Sequence, residues 1–388
     1  MRAATEWVPM EWPSGWDGRK LELLRGTPIN CVLNGPPEAA QAGFDTPKDL
    51  SAVQRLEKAP WPGLPEKSWE SAGPTGNPWV DANGWQVRLA LAKTPGKPVW
   101  VVSEKPKAAG LALAVADAAQ CGGRWVVTLA GELARGLAEG NTQAAAAWKE
   151  AVGAIAFFES HREWAFMKPV AKLAIVSSFD DTNSGEVLNL STRRHLAYHI
   201  VEKSQPGISF QGLDAVLYLD EAPPEAPLLA RMVDFARDGG LLMTPRATAA
   251  KIAGIGPVIE TQPRIAVHRL GKGRLAVPLK EWDDPFVLAA DTHVLVSYRN
   301  DPVRLFNEGV LIPYITTDGR RTVVQLVNYL GRESANFVTL GMPPQGRNPR
   351  VRTLDAPEPK PMEVFRESGR QEVHLPPFRV FAAIEFEG

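Results

Sequence analysis

Cysteine is nearly absent from this sequence of 388 residues, which contains only Cys31 and Cys121. Two cysteines do not make a disulfide framework, and no Cys-x-x-Cys pair is present to bind a metal. Both lie in apolar surroundings, which predicts buried and inert thiols. His195 and His199 are four positions apart, but no glutamate lies between them as it does in zinc-binding helices. The sequence therefore predicts no metal site and no cofactor.

The chain also lacks long apolar runs and an excess of charge of either sign. No run reaches the roughly 18 residues that indicate a membrane span, and the first twelve residues lack the apolar core of a secretory signal. The formal net charge of -1 does not indicate nucleic-acid binding, which usually requires a basic face. We expect neither a membrane nor a nucleic-acid partner. The expected location is the cytoplasm for the sequence as written, or secretion if a signal has been removed from it.

Tryptophan is scarce after Trp164, where only Trp282 occurs, although eleven tryptophans come earlier. A chain of this length is expected to form two or three domains, and the uneven composition indicates where they divide. We predict three parts: 1–168, 169–262 and 263–388.

The first part alternates short strands with helices. Strands are predicted at 27–34, 97–102 and 124–129, and helices at 86–92, 111–119 and 142–164. This order is typical of parallel βα units. A complete (β/α)₈ barrel takes at least about 200 residues, so the first part has room only for a partial or degenerate barrel. A Pro-rich stretch, roughly 35–78, is too long for an ordinary connection and indicates a functional or disordered segment.

The middle and last parts have different patterns. In the middle part, strands are predicted at 173–178, 197–202, 214–220 and 241–244, with helices at 185–195 and 227–236. Strands of this apolar character between helices are typical of a doubly wound sheet. In the last part, Asp318-Gly319 separates two β-rich runs, 311–317 and 322–329, which predicts a hairpin. The predicted fold class is therefore α/β, ending in an antiparallel, sandwich-like β-domain.

The middle part, over roughly 172–257, resembles a class I glutamine amidotransferase domain of flavodoxin-like type. In that family a helix ends in Gly-Gly, a strand follows, and a sharp elbow presents a nucleophilic cysteine. Here Asp238-Gly239-Gly240 precedes Leu241–Met243, and Thr244-Pro245-Arg246 occupies the elbow. The middle part contains no cysteine, so amidotransferase or peptidase chemistry is not expected.

The order of the three parts resembles the family 42 β-galactosidases. The segment Ala147 to Ser177 is similar to the junction between barrel and middle domain in such proteins. Asp301–Asn307 and Glu372–Phe378 are similar to the end domain of related bacterial proteins. The resemblance implies a glycoside-hydrolase-like protein with a truncated barrel. It also implies a homo-oligomer, a dimer or trimer, because the middle domain of that family serves trimer assembly.

Asp81 and Glu104 are the predicted catalytic residues. Retaining glycosidases use two carboxyl groups about 5–5.5 Å apart, and barrel enzymes place them at the carboxyl ends of strands. Asp81 lies at a predicted strand end, and Glu104 follows the strand that ends at Val102. Each has a second interpretation. An aspartate before Asn-Gly is typical of a turn or helix cap, and a glutamate before Lys-Pro is typical of a solvated loop.

Four residues around Asp81 have the composition of a sugar-binding site. They are Asn77, Trp79, Asn83 and Trp85. Indole faces stack on sugar rings and amides bind hydroxyl groups, so the predicted partner is a carbohydrate. Two functions stay open: hydrolysis or binding of a glycoside through the first part, and a non-catalytic scaffold derived from a glycoside hydrolase. A second carboxyl in the pocket of Asp81 favours the enzyme.

The other tryptophans and one acidic loop have structural interpretations. We predict that Trp100, Trp125, Trp148 and Trp164 are core residues. The tryptophans of Pro- and Gly-rich loops either pack their loops down or line a partner surface; they are Trp12, Trp16, Trp61 and Trp69. The loop Asp180–Ser184 follows a strand, where open α/β sheets bind ligands, but helix capping is the favoured interpretation.

Overall fold

The structure is a computed structural model that describes residues 2–65, 76–296, 301–307, 309–334, 338–342, 347–367 and 370–387. The first part contains β1 (Pro9–Glu11), β2 (Cys31–Leu33), α1 (Glu38–Gln41), β3 (Gln54–Leu56), α2 (Gly84–Lys93), β4 (Val99–Val101), α3 (Leu111–Ala119), β5 (Arg124–Trp125), α4 (Gly131–Glu139) and α5 (Thr142–Ser160). It is followed by β6 (Lys168–Pro169).

Next come β7 (Leu173–Ser177), α6 (Thr182–Arg193), β8 (Tyr198–Glu202), β9 (Ala215–Tyr218), α7 (Ala226–Arg237), β10 (Leu241–Met243), α8 (Arg246–Ala249), β11 (Val258–Thr261), β12 (Ile265–Leu270), β13 (Gly273–Pro278) and α9 (Pro285–Val296). The last strands are β14 (Arg304–Phe306), β15 (Leu311–Thr317), β16 (Arg321–Asn328), β17 (Thr339–Met342), β18 (Arg347–Thr353), β19 (Lys360–Pro361), β20 (Phe365–Glu367), β21 (Arg370–His374) and β22 (Phe381–Glu387).

The strands of the first part run parallel and neighbour one another in chain order. β1 pairs with β2, β3 with β4, and β4 with β5. Single bridges extend the array, from Met10 to Val127 and from Cys31 to Asp45. Chain order and parallel direction are those of a (β/α) barrel. Among the described residues, no pairing joins Asp45 to Gln54, so the array is not closed.

Both faces of this array are covered by apolar side chains, because successive residues of a strand point to opposite faces. One face packs on α3 and α5. On the other face Leu33, Trp100 and Val126 pack with Trp7, and the rings of Trp7 and Trp100 lie 6.0 Å apart. Trp100 is fully buried. The face opposite α3 and α5 corresponds to the inner side of a barrel. Side chains fill it, so it is not open to a substrate.

The middle part is a seven-stranded sheet in the order β11-β12-β13-β10-β9-β7-β8. The five strands from β13 to β8 are parallel, and β11 and β12 are antiparallel additions. In chain order the parallel strands follow the flavodoxin-like arrangement 2-1-3-4-5. Apolar clusters cover both faces of the sheet. The strands β12 and β13 lie after residue 262, so this sheet continues past the predicted end of the middle part. The three domain boundaries remain predictions.

The last part contains two antiparallel sheets that share an apolar core. The predicted hairpin is confirmed: β15 pairs with β16 and Thr317 lies opposite Thr322. Gly319 adopts φ 87° in the turn, a left-handed conformation that glycine adopts without strain. β6, at the end of the first part, pairs with β15. The first and last parts are therefore joined by backbone hydrogen bonds as well as by side chains.

Both thiols are buried and unpaired, and burial raises the pKa of Cys31 and of Cys121 to about 12. At neutral pH both are protonated and poor nucleophiles. Within the described ranges, no group of histidine, cysteine, aspartate or glutamate side chains is arranged to hold a metal ion. None of the described helices combines the length and apolar character that a bilayer crossing requires.

The predicted core tryptophans Trp100, Trp125, Trp148 and Trp164 are all buried. Of the loop tryptophans, Trp12 and Trp16 are also buried. Their rings meet edge to face 5.4 Å apart, and Trp16 Nε1 donates to the Ala134 carbonyl. These two residues therefore pack their loops onto the protein. Trp61 is partly exposed, and Trp69 lies outside the described residues.

Candidate functional site

Asp81 lies on the segment that leads into α2. Its backbone exchanges two hydrogen bonds with Gly63, of 2.9 and 3.0 Å, which ties it to the Pro-rich segment. Trp79 Nε1 donates to Asp81 Oδ1 at 3.1 Å. Burial raises the pKa of the Asp81 carboxyl, against the opposing effects of that hydrogen bond and of Lys107 and Arg193. A partly buried carboxyl with a raised pKa is a common feature of functional sites.

Arg193, from α6 of the middle part, completes this cluster. Its guanidinium carbon lies 4.1 Å from the centre of the Trp79 ring, and Nη2 donates to the Pro78 carbonyl at 3.2 Å. The side chain is only 5% exposed, and Nη1 has no hydrogen-bond partner among the described residues. Buried donors are almost always paired. Arg193 is therefore held in place by the Trp79 ring and the Pro78 carbonyl rather than by solvent.

Asn83, predicted to bind substrate, uses its polar groups inside the protein. Its backbone N–H donates to Asp117 Oδ1 at 3.0 Å and its Nδ2 to Asp117 Oδ2 at 2.8 Å. Nδ2 also donates to the Pro60 carbonyl. Tyr329, at the end of β16, donates its hydroxyl to Asp117 Oδ1 at 2.6 Å. This buried network joins the segment after Asp81 to the last part of the chain.

The Asp117 carboxyl should leave a signature in the pH dependence of stability. Burial raises its pKa from 3.8 to about 6, although the Tyr329 and Asn83 hydrogen bonds oppose the rise. Between these values the folded protein holds a proton that the unfolded chain has lost, so the Asp117 contribution to the unfolding free energy falls as pH rises. We expect urea midpoints measured from about pH 4 to about pH 7 to show this decline in the wild type relative to Asp117→Asn. Parallel curves for the two proteins contradict the assignment.

The other two predicted binding residues lie at contacts between parts of the chain. Trp85 packs into the core beneath the seven-stranded sheet, and its ring lies against Gly185 of α6, where an added Cβ would be 3.1 Å away. The Asn77 amide lies against Gly309, where an added Cβ would meet the end of the Asn77 side chain. The structure thus brings Trp79 and Asp81 together with Arg193, while Trp85 and Asn77 contact other parts of the protein.

Glu104 has different interaction partners from the residues of this cluster. It follows β4, pairs with Lys58 at 3.3 Å, and its side chain is 56% exposed. Within the described ranges, no hydrogen bond or ion pair joins Glu104 to Asp81. The negative charge of Asp81 instead raises the pKa of the fully buried Asp117, alongside the larger effect of burial. A second partly exposed carboxyl, Glu186 of α6, lies close enough to act electrostatically on Arg193 together with Asp81.

Arg193 and Asp117 were not predicted from the sequence. Arg193 lies in a run of polar residues at the end of α6, where no spacing or motif distinguishes it from a solvated arginine. Asp117 is the single charged residue of α3, all of whose other residues are alanine, leucine or valine. A lone aspartate on an apolar helix indicates a buried, partnered carboxyl, and that signal was present in the sequence.

No protein-family model matches the sequence, and no curated protein matches it. Solved structures match by fold. α-L-Fucosidase isoenzyme 2 from Paenibacillus thiaminolyticus has a TM-score of 0.55 and 11% identity, covering 87% of this chain and 65% of that chain. β-Galactosidase from Bacillus circulans sp. alkalophilus has a TM-score of 0.54 and 10% identity, covering 95% and 65%. The present chain thus spans just under two thirds of either protein. The predicted glycoside-hydrolase-like fold is confirmed, and identities this low concern the fold alone.

Proposed function

We propose that this glycoside-hydrolase-like protein binds a carbohydrate where the first part meets α6, through Trp79, Asp81 and Arg193. The observation that carries the proposal is the partly exposed Trp79 indole beside the partly buried Asp81 carboxyl, with the buried Arg193 stacked on the indole and holding it in place. A sugar hydroxyl can donate to a carboxylate oxygen, and Asp81 supplies one beside the indole. The partly exposed indole of Trp79 supplies the apolar surface that sugar rings also require.

Three features favour binding over hydrolysis. Asp117 already accepts from Tyr329 and Asn83, so its carboxylate is not free to act on a substrate. Glu104 is exposed and ion-paired. The inner side of the parallel array is filled by side chains such as Trp100. We propose that the first part is a barrel remnant that has kept a sugar contact. The amidotransferase-like origin of the middle part and the homo-oligomer belong to the same proposal.

The test is calorimetric titration with aryl galactosides and aryl fucosides, chosen because the structural relatives are a galactosidase and a fucosidase. We expect binding that Asp81→Asn weakens about tenfold, since hydrogen bonds to charged groups contribute roughly 1.5–3 kcal/mol. Trp79→Ala should weaken it similarly through loss of the indole surface. Asp234→Asn, an exposed change on α7, is the matched control.

Release of the aryl group is measured with the same compounds. Turnover that Asp81→Asn abolishes, with the fold intact, would replace the binding proposal with a hydrolase that uses Asp81. Absence of binding across both sugar series, or binding that Asp81→Asn and Trp79→Ala leave unchanged, would contradict the proposed site.

A further inference from the structure

A cavity of about 250 Å³ lies at the amino-terminal end of the parallel strands. Its wall includes Val8, which precedes β1, Pro98, which precedes β4, and Arg124, which begins β5. Helix α5 and the segment after it close another side. Among the described residues, the cavity shares no lining residue with the proposed carbohydrate site, so a ligand bound here is recognised by different side chains.

The interior of the cavity is apolar. Val115 of α3 and Ile155 of α5 line it and are both buried, and the half-buried ring of Phe158 adds aromatic surface. A cavity of about 150 Å³ accommodates benzene, so the present volume accommodates one aromatic ring with a short side chain. Ligand sites are lined mostly by apolar side chains in this way, with a few polar groups that fix the orientation of the ligand.

Phe166 continues this apolar surface to the rim of the cavity. Its side chain is 79% exposed, more than any other large apolar side chain that the structure describes. A single exposed apolar residue is ordinary, but apolar surface that runs from the exterior into a cavity commonly marks a binding site. The Phe158 and Phe166 rings favour an aromatic ligand, because aromatic rings attract one another in offset or edge-to-face arrangements.

The charged side chains of the lining are predominantly cationic. Lys97, Arg124 and Arg162 face a single carboxylate, that of Glu159. Glu159 lies 3.1 Å from Arg124 and 3.5 Å from Arg162, so the two arginines share one counter-charge. The carboxyl ends of α2, α3 and α5 also border the cavity, but about half a negative charge at each leaves a positive excess. The lining therefore selects for an anion.

Two of these cations have N–H groups that a ligand can reach. Lys97 is exposed, and its Nζ makes one hydrogen bond, to the Ser51 carbonyl at 3.1 Å, although an ammonium has three donors. The Arg162 side chain is 36% exposed. Its Nη2 donates to the Thr5 carbonyl at 2.6 Å, and its Nη1 forms no hydrogen bond with the described residues. Both cations lie at the mouth of the cavity, outside its apolar interior.

We propose that this cavity binds a carboxylate that carries one aromatic ring on a short chain. The ring fills the interior beside Ile155 and Phe158, and the carboxylate stays at the mouth, where it accepts hydrogen bonds from Lys97 and Arg162. Hydrogen bonds between ionised groups are roughly twice as strong as neutral ones, so the charge of the head group contributes to selectivity. The site gives the protein a second ligand, a small amphipathic anion, distinct in chemistry from a sugar.

3-Phenylpropionate, its amide and 3-phenylpropylamine form a shape-matched set of probes, anionic, neutral and cationic, to be titrated by ligand-observed saturation-transfer NMR. We expect 3-phenylpropionate to bind most tightly and the amine least tightly. Arg162→Gln and Lys97→Gln should each weaken 3-phenylpropionate about fivefold, the equivalent of one hydrogen bond, and leave the amide unchanged. Lys149→Gln is the matched control, because Lys149 is an exposed cation on α5 outside the lining. Ala119→Phe, which places a ring in the cavity from α3, should abolish binding of all three.

Several results would overturn the proposal. Equal affinity for 3-phenylpropionate and its amide contradicts selection of an anion, and so does an unchanged affinity for 3-phenylpropionate in both lining variants. A loss in Lys149→Gln equal to that in Arg162→Gln attributes the effect to the net charge of the protein. Undiminished binding to Ala119→Phe, with the fold intact by circular dichroism, places the ligand elsewhere. The two surface charge variants decide the question if Ala119→Phe does not fold, and the absence of binding by all three probes contradicts the site itself.

Discussion

Asp117→Ala is expected to lower the free energy of unfolding by about 3 kcal/mol or more. The substitution removes the carboxylate that accepts from the Asn83 backbone N–H, the Asn83 side chain and the Tyr329 hydroxyl. Each buried donor left without a partner costs roughly 1–3 kcal/mol. The site is fully buried, so water does not readily replace the lost acceptor. Tyr329→Phe, which removes one donor, should have a smaller effect.

Urea denaturation at about pH 7.5 measures this effect, with the unfolding of secondary structure followed by circular dichroism. Asp234→Ala is the control, because Asp234 is also an aspartate on a helix but its side chain is 70% exposed. We expect the control within about 0.5 kcal/mol of the wild type. An Asp117→Ala midpoint equal to that of the control would show that the network does not hold the first and last parts together.

Gly273→Ala should destabilise the middle part by about 3 kcal/mol, the upper end of the usual range for overpacking. Gly273 begins β13 directly beside the end of α7. A Cβ added there would lie 2.7 Å from the Gly239 carbonyl carbon, and closer still to the carbonyl oxygens of Ala236 and Gly240. The obstacles are all backbone atoms, so no side chain can rotate away. Either β13 or the end of α7 must shift, and Arg274 N would lose its 3.0 Å hydrogen bond to Gly240.

Gly153→Ala is the matched control for this substitution. Gly153 lies inside α5, and an added Cβ would meet no atom within 4 Å. Alanine is favoured over glycine by roughly 0.5–1 kcal/mol inside a helix, so the control should be slightly stabilised. Thermal unfolding of the two variants should therefore shift in opposite directions from the wild type. A Gly273→Ala protein as stable as the wild type would show that α7 is not packed this closely on β13.

Local sequence patterns determined most of the secondary structure. The helix predicted at 111–119 is α3, because a run of alanine and leucine favours the helix wherever it occurs. The hairpin around Asp318-Gly319 is equally local, since the turn residues set its conformation. Asp181 caps α6 as expected, accepting from Ser184 N at 2.7 Å. Each of these features depends on residues within a few positions of one another.

Only the tertiary structure decided how the predicted site is arranged. The Asn83 amide was predicted to bind a sugar, but it donates to the Asp117 carboxyl instead. The Tyr329 hydroxyl, 212 positions further along the chain than Asp117, donates to the same carboxyl. Arg193 stacks on Trp79 because α6 packs beside the first part. Neither the sequence around Trp79 nor the sequence of α6 predicts this contact. The sequence by itself determined the elements, the order of the parts and the residue types near Asp81. The docking of those parts decided which polar groups form hydrogen bonds inside the protein, because buried hydrogen bonds join residues that the chain keeps far apart.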